Sequence, residues 1–112
     1  METLLLTGIT GFIGKSVAKK LIGHYEITAL IRPKTNKKRY AEFIDKVNFV
    51  EIDLGDIKKL KQFLEKKAFT YIVHIGALRG GRKFSKEEYQ RANVFATEQL
   101  VLNAVKNQSK LL

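Results

Sequence analysis

Cysteine is absent from this chain of 112 residues. Disulfides and thiolate chemistry are therefore excluded. The only histidines are His24 and His74, too few with no cysteine beside them to make a metal constellation, and no metal site is expected. No apolar run approaches the roughly 20 residues of a membrane-spanning helix, so no membrane partner is expected. Residues 1–14 lack the basic start and longer apolar run of a signal peptide; the cytoplasm is the expected compartment. Acidic residues are scarce as well: 11, against 21 lysines and arginines.

That imbalance gives a net charge of +10 and a pI near 9.9, which favours anionic partners such as phosphates and nucleotides. Sixteen of the basic residues are lysines, many of them on the outward faces of predicted helices. Solvated surface charge accounts for most of the excess, and a nucleic-acid partner is not expected. At 45% hydrophobic and 29% charged, the chain can bury the core of one domain.

Strands and helices alternate along the sequence. Residues 3–7 read as a buried strand and 12–22 as a helix with Phe12, Ile13, Val17, Ala18, Leu21 and Ile22 on one face. Gly23 is placed to stop that helix. A second strand spans 26–31 and ends at Arg32-Pro33. A basic loop over 34–39 precedes a short, weakly patterned helix near 39–45. A third strand is predicted over 47–52. Asp56 is placed to cap a helix with Ile57, Leu60, Phe63 and Leu64 inward. A fourth strand covers 69–75, a loop 76–84, and a long helix 85–107. The helix's apolar positions, including Tyr89, Ala92, Phe95, Ala96, Leu100, Val101, Ala104 and Val105, span more than one stripe, so it is expected to be buried on more than one side. The alternation predicts an α/β fold: a doubly wound parallel sheet in the order 3-2-1-4 with helices on both faces.

The densest signal is Thr7-Gly8-Ile9-Thr10-Gly11-Phe12-Ile13-Gly14, at the first strand-to-helix junction. Three glycines there suit a phosphate-bearing cofactor. Gly8 permits a tight turn, Gly11 lets a pyrophosphate approach the backbone, and Gly14 lets helix and strand pack closely. The helix N-terminus then faces the anion. Gly8, Thr10, Gly11, Phe12, Ile13 and Gly14 are the expected cofactor contacts in this loop.

Further contacts are expected at the ends of the later strands. Arg32 stands 18 residues after Gly14, where a carboxylate would suit the ribose hydroxyls of NAD and a cation suits the 2′-phosphate of NADP. Five of the eight residues 32–39 are basic and none is acidic, so NADP is favoured over NAD. Asp53 can accept from an adenine amino group, with Leu54 against the ring. Ile75, Gly76 and Ala77 end the fourth strand with little bulk, leaving room for ribose and phosphate. His74 reads as a satisfied core histidine. Asn93, flanked by apolar residues in the last helix, is expected to make buried hydrogen bonds.

These motifs resemble the extended short-chain dehydrogenase/reductases, the NAD(P)-dependent epimerase/dehydratase family. Thr7 to Gly14 is similar to its TGxxGxxG, Asp53-Leu54 to its adenine-site pair, Val73 to Ala77 to V-I-H-x-A-A, and Asn93-Val94 with Thr97 and Leu100 to N-V-x-G-T-x-x-L. Gly76 and Ala96 depart from it, standing where alanine and glycine are usual. The resemblance implies a Rossmann-like cofactor domain and a dimer interface on the last helix. It also implies hydride chemistry supported by a Tyr-x-x-x-Lys pair, with Asn93 in a supporting role.

That pair is missing. Tyr25, Tyr40, Tyr71 and Tyr89 are followed four residues later by Ala29, Ile44, Ile75 and Asn93. Residues 1–112 are thus expected to be the cofactor-binding part of an NADP-preferring nucleotide-sugar epimerase/dehydratase or related carbonyl/alcohol oxidoreductase, without its catalytic and substrate-binding segments. They are expected to end before or within the fifth strand and to be inactive alone, with no catalytic residue of their own. A naturally short, non-catalytic dinucleotide-binding module is the alternative, and a basic nucleic-acid-binding domain a weaker one. A homodimer is expected through helix 85–107 or through the fourth strand as an exposed sheet edge.

Overall fold

A computed structural model of the chain describes residues 1–75, 85–87 and 91–112, with the side chains of residues 91 and 92 outside the description. Strand β1 spans Thr3–Thr7 and β2 Glu26–Ile31. Strand β3 spans Asn48–Glu51, β4 Tyr71–His74 and β5 Lys110–Leu111. All pair in parallel, in the order β3-β2-β1-β4-β5. Helix α1 covers Phe12–Leu21, α2 Ile57–Glu65 and α3 Ala96–Asn107.

Strand β1 explains the layering. Successive side chains of a strand point to opposite faces, and Leu4, Leu5 and Leu6 are all buried. Leu4 and Leu6 join Ile27, Ala29 and Ile31 in a core completed by Ala18 of α1 and by Tyr40 and Phe43. Leu5 points the other way, into a core with Leu30, Ile72, Leu60 and Leu64 of α2, and Leu100 and Ala104 of α3. A central strand buried on both faces needs a helical layer on each, and the chain supplies both.

Several expected boundaries hold and others move. Asp56 caps α2 by accepting from the Lys59 amide at 3.2 Å, and β1 and β2 span the predicted residues. The weak helix expected near 39–45 is instead two short 3₁₀ turns, Lys37–Arg39 and Ala41–Phe43. Three-residue turns carry no helical periodicity for the sequence to reveal.

Of the helix expected over 85–107, residues 86–87 are helical and α3 forms the C-terminal part. Before it, Arg91–Phe95 forms a π-turn, and residues 88–90 lie outside the described residues, Tyr89 among them. Within α3, burial falls on one side rather than on more than one as expected. Ala96, Leu100, Asn103 and Ala104 face inward, while Val101, Leu102 and Val105 are exposed. The sheet offers one contact face, and a single helix laid on it hides one stripe.

The fourth strand is not the sheet edge. The tail turns back through Gln108, whose left-handed conformation ends α3, and β5 runs beside β4. The Lys110 amide donates to Thr70 at 2.9 Å, the Leu112 amide to Ile72 at 2.7 Å, and the His74 amide to Leu112 at 2.9 Å. The Ser109 hydroxyl donates to the Phe69 carbonyl. Unpaired strand groups favour a partner, and the four tail residues Ser109 to Leu112 supply it.

Candidate functional site

The C-terminal ends of the parallel strands share one edge of the sheet, and the strand order reverses between β1 and β4. Open α/β sheets bind ligands at such a point. The glycine-rich loop leaves β1 there. Gly8 has φ 90°, a left-handed value that a side chain would strain. The Gly11 amide donates to the Gly8 carbonyl at 3.1 Å and closes the turn. Ile9 is fully buried and anchors the loop from beneath.

Gly11 is the N-cap of α1. Its backbone is extended (φ −83°, ψ 169°), and no side chain accepts from the first helical amides. The first turn holds no acidic residue. An uncapped helix start of this kind presents amide donors and the positive end of the helix dipole to an anion. A Cβ on Gly14 would lie 1.7 Å from the Gly8 carbonyl oxygen and 2.9 Å from the Ile9 Cα. Only glycine lets α1 begin this close to the turn. Phe12 and Ile13 are exposed at its start.

Positive charge approaches the loop from β2. Arg32 follows that strand and is exposed. The Thr35 amide donates to the Arg32 carbonyl at 3.2 Å, and the turn passes through Lys34 at φ 66°. The chain then enters the first 3₁₀ turn, whose start Asn36 caps by accepting from the Lys38 amide at 3.0 Å. Tyr40 and Phe43 bury the far side of the segment, Tyr40 packing on Phe49 at 4.6 Å between ring centres. Arg39 is thereby held where its Nη2 donates to the Thr10 carbonyl at 3.4 Å. The sequence placed Arg39 in a basic loop; its contact with the glycine loop, 29 residues away, was not legible there.

Asp53 and Leu54 lie at the end of β3, both partly buried. One Asp53 carboxylate oxygen accepts from the Gly55 amide at 2.8 Å, so Asp53 serves a local turn as Asp56 does. Leu54 packs on the α2–α3 core. Ile75 is tied to β1, its amide donating to the Thr7 carbonyl at 3.1 Å. Gly76 and Ala77 lie outside the described residues.

Asn93 departs from expectation. It is exposed, because the π-turn shifts the helical register and swings residues 93–95 outward. Its backbone carbonyl accepts from the Thr97 hydroxyl at 2.9 Å. His74 is a satisfied histidine, as expected: Nδ1 lies 2.6 Å from the Thr7 hydroxyl and Nε2 2.9 Å from the Thr97 hydroxyl. Burial holds its pKa below the ordinary value. These hydroxyl partners, 67 and 23 residues away, gave no signal in the sequence.

The family model of the NAD dependent epimerase/dehydratase family matches residues 4–112. The uncharacterized protein MJ1055 of Methanocaldococcus jannaschii is 30% identical over 92 residues, covering 72% of this chain and 28% of that protein. The ADP-L-glycero-D-manno-heptose-6-epimerase of Helicobacter pylori superposes with a TM-score of 0.81 at 22% identity, over 98% of this chain and 37% of that one. The Bordetella bronchiseptica enzyme WbmG, solved in complex with NAD and UDP, gives 0.78 at 21% identity, over 96% of this chain and 35% of that one. The chain thus spans about a third of the length of the proteins it matches.

Proposed function

The chain belongs to the NAD dependent epimerase/dehydratase family, and from that premise we propose that it binds a dinucleotide across the β1–β4 switch point, with NADP preferred. The observation that carries this reading is the uncapped start of α1 behind a turn that glycines alone permit. The pyrophosphate would meet the amides after Gly11, with Thr10, Phe12 and Ile13 around it. Ile75, Gly76 and Ala77 would border the ribose on the β4 side. Asp53 keeps a second carboxylate oxygen for an adenine amino group beside Leu54.

The preference for NADP rests on charge. Arg32 and Arg39 both stand at the β2 side of the loop, and no carboxylate occurs from residue 32 to 39. A charge-assisted hydrogen bond to phosphate contributes about 1.5–3 kcal/mol, roughly ten- to a hundredfold in affinity. Titration of NADP and NAD against the chain tests the reading. Arg32→Ala and Arg39→Ala should each weaken NADP at least about tenfold and leave NAD nearly unchanged. Equal affinities for the two cofactors would remove the NADP assignment.

A family member of this kind supports redox steps on nucleotide sugars or related carbonyl compounds, and that is the reading for the protein's parent activity. Residues 1–112 contain no Tyr-x-x-x-Lys pair to supply general acid/base catalysis, so we propose that this segment alone binds the cofactor without turning it over. Self-association through the exposed apolar face of α3 completes the proposal.

A further inference from the structure

Thr7 and His74 are register partners that end β1 and β4, on either side of the switch point. Neither strand is connected to the other in sequence, and α3 packs over both from a third place. A chain of side-chain hydrogen bonds joins all three: Thr7 to His74 at 2.6 Å, His74 to Thr97 at 2.9 Å, and Thr97 to the Asn93 carbonyl at 2.9 Å.

The direction of each bond can be deduced. A carbonyl oxygen only accepts, so the Thr97 hydroxyl proton is engaged by Asn93. Thr97 Oγ1 must then accept from the ring, which places the imidazole hydrogen on Nε2. Nδ1 is left as an acceptor, and the Thr7 hydroxyl donates to it. For a neutral ring this is the one arrangement that satisfies every link, and burial, which lowers the pKa of His74, favours it over an imidazolium donating from both nitrogens. On the face of the sheet that these residues share, Leu5 and Ile72 are fully buried, and Ala96 and Leu100 of α3 pack into the same core. Packing alone would be served as well by a hydrocarbon side chain.

We infer that His74 is a positioning residue: fixed as the Nε2–H tautomer between Thr7 and Thr97, it ties the floor of the cleft between β1 and β4 to the π-turn that presents Asn93. It thereby holds in register the two walls of the cleft, the glycine loop that continues from Thr7 and the turn before α3. The structural part stands without a ligand, and the consequence for affinity rests on the dinucleotide reading above.

Thr97→Val keeps the side-chain shape and removes the link, while Thr97→Ser keeps the link. In the cofactor-free 112-residue chain at neutral pH, nitrogen NMR of His74 should show a protonated Nε2 and a bare Nδ1. Thr97→Val should mix the tautomers and speed amide exchange over residues 93–97 by about tenfold, leaving β1 protected, and Thr97→Ser should restore both. NADPH affinity should fall several-fold in Thr97→Val and recover in Thr97→Ser. An Nδ1–H tautomer, a charged ring, or unchanged exchange in Thr97→Val would overturn the inference. Faster exchange with unaltered affinity would overturn the link to the cleft. If the wild-type chain binds no dinucleotide, the proposed function falls, and tautomer and exchange still decide the role of His74.

Discussion

Two glycines of one loop should respond to substitution in opposite ways. At Gly14 a methyl group would overlap the Gly8 carbonyl, 1.7 Å away, so Gly14→Ala should cost about 3 kcal/mol or more of stability in urea unfolding. Gly11 has an extended backbone open to any residue. Gly11→Val should therefore fold with nearly the wild-type midpoint and lose dinucleotide binding, because the branched Cβ takes the place of the pyrophosphate. Retained binding in that variant would show that the loop does not hold phosphate. His74 adds a pH dependence. Burial lowers its pKa below 6.5, so the unfolded chain takes up the proton first as pH falls. Its contribution to stability is complete above the unfolded value and is lost as pH drops toward the folded one. Unfolding free energy should thus rise with pH across that window, more steeply in wild type than in His74→Gln. Equal slopes would mean that the ring is not held neutral. Gly14 was legible in the sequence because its partner lies six residues away. The role of His74 was not, since hydroxyls brought together by the sheet leave no local pattern.

Elements were legible where one physical signal set both their type and their limits. Strand β1 is an apolar run stopped by glycine, and α2 starts at a capping aspartate. Asp56→Ala should accordingly lower stability by about 1 kcal/mol in a denaturant titration, by freeing the Lys59 amide. A loss under a few tenths would mean that water replaces the cap without cost. The 3₁₀ turns and the π-turn escaped detection for different reasons, and β5 was anticipated only through the family resemblance. The turns around Arg39 are too short for periodicity, and tertiary anchoring by Tyr40 and Phe43 fixes them. The π-turn changes the residue spacing on which amphipathic patterning depends, which is why Asn93 faces outward. Strand β5 has two residues, and pairing with β4 defines it more than any propensity of Lys110 or Leu111. Even the buried polar Asn103 belongs here: its amide donates to the Leu64 carbonyl at 3.0 Å and ties α3 to the end of α2, a contact between elements rather than within one.

The surface of the whole molecule carries an imbalance that its own layers do not resolve. Val101, Leu102 and Val105 of α3 are exposed at 39%, 56% and 72%, and Val94 and Phe95 are exposed just before them. With β5 paired to β4, the sheet edge expected to drive association is covered, which leaves the helix face as the remaining incentive. An exposed apolar patch of this kind marks an interaction surface, and a second copy offers a self-complementary partner for it. The net charge of +10 opposes association, but salt screens exposed charge over about 10 Å while apolar burial is unaffected. Sedimentation should therefore find concentration-dependent dimers that strengthen with added salt. Val105→Lys should abolish them by placing a cation in the apolar contact, with the monomer fold retained because residue 105 is already exposed. Glu42→Lys, on the opposite face beside Lys19, should add charge without disturbing the dimer beyond a modest electrostatic loss. A chain that stays monomeric at high concentration and high salt would exclude the α3 face as an interface between copies.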